Sequence, residues 1–241
     1  MASPSPPAVW AVVPAAGGGS RMRADRPKQY LSVRGRTILE RTLERLGSYP
    51  RLRGMLVGIA ADDVYWPTLA SPIPKLLNTY VGGAERADTV LHGLQALSVH
   101  ARPDDWVMVH DAARPCLRHA DIDALLADIA GHADGGLLAL PISDTVKRAD
   151  HNGCVEETIP RAMLWRALTP QVFRLGALTA ALEKAMHDGV EITDEASAME
   201  YDGARPRLVH GHADNIKITV PDDLALAELY LREQEREKQL A

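Results

Sequence analysis

The chain has 241 residues, of which 46% are hydrophobic, and its formal net charge is -5. This length suits one α/β domain with an appendage, and the acidic balance argues against a general nucleic-acid binder. Cys116 and Cys154 are too few for a disulfide framework or a four-cysteine zinc site, so we expect a reducing compartment. The sequence contains no apolar run of the ~20 residues that span a bilayer.

The first seven residues, MASPSPP, carry no charged side chain. A secretory signal peptide would begin with basic residues. We therefore expect residues 1–7 to form a disordered leader, the protein to be cytoplasmic, and residues 1–241 to make up a single domain.

Strand-like and helix-like patterns alternate along the rest of the chain. Strands are predicted at 9–13, 54–60, 76–81, 105–109, 136–142, 207–210 and 215–219. Helices are predicted at 37–46, 85–97, 121–129, 175–187 and 193–201, with a last helix that opens at Pro221. The alternation predicts an α/β fold with three layers, in which a mainly parallel sheet carries helices on both faces.

A loop of small residues, PAAGGGS, follows the first predicted strand. A ligand can approach the backbone amides of such a loop closely, and Arg21 and Lys28 follow it. Amides and cations together suit a triphosphate. The loop matches neither the P-loop nor the G-x-G-x-x-G fingerprint, and the alternative interpretation is a flexible glycine loop with ordinary surface charges.

Two further places carry polar residues beside predicted strands. Gly82, Gly83 and Thr89 follow the third strand and could line a base pocket, whereas Asp88 or Thr89 could instead cap the next helix. Asp111 follows the fourth strand, where an open α/β sheet faces its ligand crevice. It is predicted to hold Mg²⁺, which takes oxygen ligands and usually keeps several waters.

The alternative for Asp111 is a pair with Arg114 that closes a turn. The neighbouring His110 is predicted to be a packed residue and not a catalyst. Residues 143–160 read as two polar β segments around an Asn-Gly turn. Such a hairpin has little of its own to pack against, and we expect a dimerisation arm or, alternatively, a solvent-exposed excursion.

Eight segments occur in order over nearly the whole chain: PAAGGGSRM, RPKQYL, GGAERADTV, VHDAARP, PISDTVKR, LWRALTPQ, TDEASAMEY and HADNIKIT. Together they resemble the 2-C-methyl-D-erythritol 4-phosphate cytidylyltransferase family of the non-mevalonate isoprenoid pathway. Members transfer CMP from CTP to that phosphate and release pyrophosphate. The resemblance implies a Rossmann-like nucleotidyltransferase core, Mg²⁺ dependence, and a homodimer whose β-arms complete each other's sites.

The resemblance also implies roles for particular residues. The catalytic cations that neutralise the phosphates would be Arg21, Lys28 and Lys217. The residues that contact CTP would be Ala15, Ala16, Gly17, Gly19, Gly83, Thr89 and Asp111. The sugar phosphate would be bound by Thr145, Arg161 and Thr169, which would reach in from the partner subunit. Asp111 would hold Mg²⁺, and Asp214 is left open as a second ligand. The acceptor phosphate would attack the α-phosphorus in line, with positioning and charge neutralisation in place of a protein nucleophile.

Three other functions compete with this one. The nearest is a cytidylyltransferase for another polyol phosphate, such as ribitol 5-phosphate, which would share the core and differ in the sugar pocket. A dinucleotide-dependent oxidoreductase is disfavoured by the broken glycine fingerprint. A non-catalytic nucleotide-binding module is disfavoured because Arg21, Lys28, Asp111 and Lys217 are all present.

Overall fold

The structure is a computed structural model that describes residues 7–18, 26–70 and 72–240. The predicted leader lies outside these residues except for Pro7. Strands β1–β11 are Val9–Pro14, Ser32–Val33, Arg36–Thr37, Leu52–Ile59, Leu76–Val81, Trp106–Val109, Gly136–Pro141, Val146–Ala149, Val155–Ile159, Trp165–Arg174 and Arg207–His210. Helices α1–α6 are Ile38–Gly47, Arg86–Leu97, His119–Asp128, Leu175–His187, Glu195–Tyr201 and Asp222–Leu240.

Among the described residues, the central sheet has seven strands in the order β11-β7-β10-β6-β1-β4-β5. Its neighbours pair in parallel except at β10, which runs antiparallel to both β6 and β7. The prediction of a mainly parallel sheet is therefore confirmed. β10 was not predicted, and the structure accommodates Pro170 there where the pairing with β7 shifts register between Ala167 and Gln171.

Helices cover both faces of the sheet, as the alternating side chains of β1 illustrate. Val9, Ala11 and Val13 join a core cluster with α1 and α3, while Trp10 and Val12 join one with α2, α4 and α5. Burial on both faces explains the continuous apolar run of this strand. The three-layer prediction is confirmed.

Local sequence signals explain several of the helix boundaries. At the start of α1, the Thr37 hydroxyl accepts a hydrogen bond from the Glu40 N–H at 3.1 Å, and the Glu40 carboxylate accepts one from the Thr37 N–H at 2.8 Å. This reciprocal capping box satisfies two otherwise unpaired donors. After α4, Gly189 has a φ of +68°, a conformation that glycine adopts without a side-chain penalty.

The predicted strand at 215–219 is wrong. These residues form a loop whose backbone meets the neighbouring segment at one point, where the Ile218 N–H donates to the Ala113 carbonyl at 2.9 Å. The loop lies beside the segment that follows the end of β6, and it brings Lys217 to Asp111 of that segment. The last helix is longer than its apolar part and includes the charged residues up to Leu240.

The predicted hairpin at 143–160 is confirmed as a two-stranded antiparallel unit of β8 and β9, separate from the central sheet. Gly153 in its turn has a φ of +81°. Within the described part of the chain, no helix combines the length and the apolar character needed to cross a membrane.

Candidate active site

The predicted nucleotide residues lie around one cavity of about 190 Å³ beyond the end of β1. It is lined by Pro14, Ala15, Ala16, Gly17, Lys28, Gln29, Gly83, Ala84, Glu85, Arg86, Thr89, Asp111, Ala112, Ala113 and Lys217. Lys28 and Lys217 therefore share a cavity although they are far apart in sequence. Two predicted site residues, Gly19 and Arg21, lie outside the described residues.

The backbone of the small-residue loop at 15–17 is held by the side chain of Gln29, which was not predicted as a site residue. The buried Gln29 amide donates to the Ala15 carbonyl at 2.6 Å and to the Gly17 carbonyl at 3.1 Å. A Cβ on Gly17 would meet no atom of the described residues within 4 Å, which leaves room for a ligand beside the backbone there. The sequence signals for Gln29 are its place directly after Lys28 and within the family-like segment RPKQYL.

Gly83 lines the cavity, and Gly82 lies next to it against Ala16. A Cβ on Gly82 would stand 2.5 Å from the Ala16 Cβ, and one on Gly83 would stand 2.2 Å from the Asp88 Cβ. The Thr89 hydroxyl accepts from the Gly83 N–H at 3.0 Å and donates to the Glu85 carbonyl at 3.0 Å. Thr89 thus lines the cavity and also orders its wall. The alternative role as a helix cap belongs to Asp88, whose carboxylate accepts from the Glu85 N–H at 2.9 Å.

The carboxylate of Asp111 lies among three cations. Arg86 Nε is 3.2 Å from Oδ1, while Arg114 Nε is 3.2 Å and Lys217 Nζ 3.0 Å from Oδ2. Burial alone would raise the pKa of Asp111, but the charges of Arg86, Lys217 and Arg114 outweigh it and hold the pKa far below its usual range. Asp111 is therefore ionised, and the alternative pair with Arg114 is present.

A buried ion pair that was not predicted holds one of these cations. Arg86, in the first turn of α2, donates to Glu195 of α5 at 2.6 Å and 3.2 Å, and the Glu195 side chain is 2% exposed. This two-pronged geometry is typical of strong arginine–carboxylate pairs. Both residues stand within the family-like segments GGAERADTV and TDEASAMEY, but nothing in the sequence joins positions 109 residues apart.

A chain of hydrogen bonds holds the backbone of the segment that contains Asp111. The Asp111 N–H donates to the Thr169 hydroxyl at 3.1 Å, which lies 3.0 Å from His110 Nδ1, and His110 Nε2 lies 3.1 Å from the Arg114 carbonyl. Burial lowers the pKa of His110 to about 4, so the ring is neutral near pH 7. The prediction that His110 is a packed neighbour is confirmed.

A second cavity of about 230 Å³ lies beyond this cluster. It is lined by Arg86, Asp111, Arg114, Ala167, Leu168, Thr169, Gln171, Thr193, Asp194 and Lys217. Arg86, Asp111 and Lys217 line both cavities and form their common wall. Thr169 belongs to β10 of the central sheet, so the structure places it at the site of its own chain and not on the arm.

The other predicted acceptor residues lie at the base of the arm. Thr145 and Arg161 are exposed, and the Arg161 guanidinium donates to the Ser143 carbonyl. Neither lines the two cavities of this single chain. A role for them in the site would need the arm of a second copy.

The structure argues against Asp214 as a second metal ligand. Its Oδ2 atom accepts from Arg118 at 2.8 Å and from Gln234 at 2.9 Å, and it lines neither cavity. The charge of Asp214 is therefore balanced by Arg118, outside the two cavities. Across the described ranges, no group of three or more His, Cys, Asp or Glu side chains could by itself hold a metal ion.

Comparisons with known proteins agree on one family. The family model described as "IspD: 2-C-methyl-D-erythritol 4-phosphate cytidylyltransferase" matches residues 9–233. A protein of that name from Pseudomonas paraeruginosa is 58% identical over 90% of this chain and 94% of its own length. One from Vibrio vulnificus is 53% identical over 94% of this chain and 96% of its own.

A solved structure supports the same assignment. The crystal structure of 2-C-methyl-D-erythritol 4-phosphate cytidylyltransferase from Francisella tularensis is 35% identical, with a TM-score of 0.81 over 92% of this chain and 99% of that one. The sequence match extends over both cavities and their common wall. The chain belongs to the 2-C-methyl-D-erythritol 4-phosphate cytidylyltransferase family.

Proposed function

We propose that this protein transfers CMP from CTP to 2-C-methyl-D-erythritol 4-phosphate and releases pyrophosphate, in the cytoplasm, as a step of non-mevalonate isoprenoid synthesis. One observation carries the proposal beyond family membership. Two adjacent cavities share a charged wall of Arg86, Asp111 and Lys217. A transferase that joins two phosphates needs neighbouring donor and acceptor sites with cations between them.

The cavity beside the small-residue loop suits the nucleotide. The backbone at 15–17 and Gly83 would meet CTP at close range, and Lys28 would neutralise its phosphates, together with Arg21 and the backbone of Gly19. The Lys28 ammonium donates to the Ile218 carbonyl at 3.0 Å and therefore lies beside the loop that carries Lys217. The 190 Å³ cavity is smaller than the ~300–1,000 Å³ of usual ligand pockets, so part of the nucleotide would lie at the open surface.

The cavity beside Thr169 suits the acceptor. Its lining combines the Thr169 and Thr193 hydroxyls with Arg114, a set that can bind hydroxyl groups and a phosphate. Arg161 and Thr145 would be contributed by the partner subunit's arm in a homodimer. Val155 on β9 and Met163 beyond the arm are 64% and 86% exposed, and such apolar side chains suit a subunit contact.

The residues present fit a Mg²⁺ ion that takes most of its ligands from the substrate. Mg²⁺ in nucleotide enzymes is commonly held by one or two carboxylates, phosphates and water. Asp111 is such a carboxylate, ionised and lining both cavities. When bound beside Asp111, the ion would neutralise charge on the triphosphate.

The reaction needs no protein nucleophile. An oxygen of the acceptor phosphate forms a bond to the α-phosphorus of CTP, and the bond to pyrophosphate breaks on the opposite side. Both reactants are anions, so their repulsion is the main obstacle. Lys217, at the wall between the cavities, would neutralise the charge that develops on the transferred group, and Lys28 and Arg21 would stabilise the leaving pyrophosphate.

A pyrophosphate-release assay tests the proposal. Four nucleoside triphosphates are each offered with 2-C-methyl-D-erythritol 4-phosphate and, separately, with ribitol 5-phosphate, in the presence of Mg²⁺. We expect release with CTP and the methylerythritol phosphate alone. Faster release with ribitol 5-phosphate, or with another triphosphate, would overturn the assigned substrates. No release with any pair would overturn the assigned activity.

A further inference from the structure

The last helix, α6, meets the candidate site through one buried amide. Its apolar residues Ala227 and Leu231 pack in a small core cluster with Cys116 and Ile38. Gln234 follows them on the same face and is 3% exposed. A buried amide requires hydrogen-bond partners, and the partners of Gln234 lie on three different segments.

Every hydrogen-bonding group of this amide is used. The Nε2 atom donates to the Cys116 carbonyl at 2.8 Å and to Asp214 Oδ2 at 2.9 Å. The Oε1 atom accepts from Arg45 of α1 at 2.8 Å. A glutamine side chain has two N–H donors and one carbonyl oxygen, so the two N–H groups each bind one segment.

The two segments carry the charged groups of the site. Cys116 lies on the segment that follows β6 and contains Asp111, and Asp214 lies three residues before Lys217. The Asp111 and Lys217 side chains then meet at 3.0 Å in the wall between the cavities. Gln234 thus connects, outside the two cavities, the two backbone segments whose charged side chains meet in the wall between the cavities.

The two segments also meet directly, through the Ile218 N–H and the Ala113 carbonyl at 2.9 Å and through Arg114 and the Asn215 carbonyl at 2.8 Å, but the Asp214 carboxylate itself has few partners. Asp214 Oδ2 accepts from Gln234 and Arg118, while its buried Oδ1 has no hydrogen-bond partner among the described residues. Arg118 is also engaged with Glu237 of α6 at 2.7 Å. Removing the Gln234 amide would leave the Asp214 carboxylate with Arg118 as its one hydrogen-bond donor in the described part of the chain, and the Cys116 carbonyl without this donor.

We propose that Gln234 is a positioning residue for CMP transfer, which fixes the distance between Asp111 and Lys217 by joining their two segments to α6. This inference rests on the proposed function, because Lys217 matters only if its cavity wall faces the reacting phosphates. Gln234 itself lines neither cavity. Its effect would therefore reach the reaction through Asp111 and Lys217.

The test compares Gln234→Met with Gln239→Met, the same change at an exposed position of the same helix. After circular dichroism and CTP-binding stoichiometry have established the folded, competent fraction, kcat and the KM for CTP are measured. For Gln234→Met we expect kcat to fall by about 10- to 100-fold, since a misplacement of ~1 Å can cost ~10²-fold. We expect the KM for CTP to change by less than about threefold, and Gln239→Met to match the unsubstituted protein.

A double-mutant cycle separates positioning from general weakening. In a Lys217→Ala background, Gln234→Met should lower kcat by less than about threefold, because the group that it positions is absent. Equal losses in both backgrounds, or an unchanged kcat in folded Gln234→Met, would overturn the inference. If Gln234→Met does not fold, Asp214→Asn weakens the same joint and is judged by the same criteria. A normal turnover in Lys217→Ala would instead count against the proposed function.

Discussion

The charge cluster around Asp111 makes its neutralisation the most informative single change. In Asp111→Asn the side chain keeps its size, but Arg86, Arg114 and Lys217 lose the carboxylate that they share. The Asp111 and Arg114 side chains are only 8% and 9% exposed, so water cannot replace the lost charge there. Lys217 and Arg86 are about one-third exposed and can turn partly toward solvent.

The expected cost follows from this geometry. Removing one partner of a buried ion pair costs about 3–5 kcal/mol, because the remaining charge is left uncompensated. At about 2–4 °C per kcal/mol for a chain of this size, the melting temperature should fall by about 6–20 °C. Relaxation of Lys217 and Arg86 favours the lower part of that range.

The measurement is thermal and urea unfolding without Mg²⁺ or nucleotide. Asp128→Asn is the matched control, because Asp128 pairs with Arg207 at 2.9 Å on the surface, where both side chains are more than a third exposed. The control should leave the free energy of unfolding nearly unchanged. Equal stability of Asp111→Asn and the unsubstituted protein would refute the argument that this carboxylate holds the wall together.

The same variant tests the proposed metal role. If Asp111 holds Mg²⁺ in the working enzyme, the midpoint of the Mg²⁺ titration of pyrophosphate release should rise by about tenfold or more, since even outer-shell changes cost 10- to 100-fold. Mg²⁺ binding by isothermal titration in the presence of CTP should weaken in parallel. An unchanged midpoint would remove Asp111 from the metal.

Three further changes test other parts of the site and fold. Lys28→Ala should lower turnover by about 100-fold, the scale for a lost transition-state donor; near-normal steady-state turnover in the folded variant would exclude Lys28 from catalysis. Gly83→Ala should weaken CTP binding, because its Cβ would stand 2.2 Å from the Asp88 Cβ, and unaltered affinity in a binding titration would contradict the proposed base wall. Burial alone would raise the pKa of Asp105, but hydrogen bonds from the Arg102 and Ala8 backbone and from an indole outweigh it and lower that pKa to about 2. Its folded-state pKa lies below the unfolded value near 3.9, so its stabilisation is present above about pH 4 and lost as the pH falls through 2. Urea unfolding between pH 5 and 2 should show this loss, and Asp105→Asn should remove that component.

The fold was largely predictable because its strands and helices have distinct hydrophobic periods. β1, β5 and α4 match the predicted positions within a residue, since each is bounded by glycine, proline or a polar turn. The failure at β10 has a physical cause, because a proline in a strand removes a ladder donor and argues against a strand. The sheet tolerates Pro170 where the pairing with β7 is already interrupted.

The site was predictable to the extent that its chemistry lies in short segments. Gly83 and Asp111 directly follow strands, and strand ends meet at one edge of a parallel sheet. The contact between Arg86 and Glu195 was not predictable, because it joins two helices that only tertiary packing brings together. The prediction of a strand at 215–219 was wrong because Ile216 and Ile218 do not pack in a sheet. They lie in a loop and pack against α6 and the segment that contains Asp111.

The common wall of the two cavities is assembled from distant parts of the chain: α2, the end of β6 and the loop that precedes α6. A nascent chain emerging from the ribosome can contain the whole glycine loop and still lack this wall until residue 217 has been added. After dilution from denaturant, turnover would therefore require contacts between these distant segments, whereas the helical signal requires mainly local contacts.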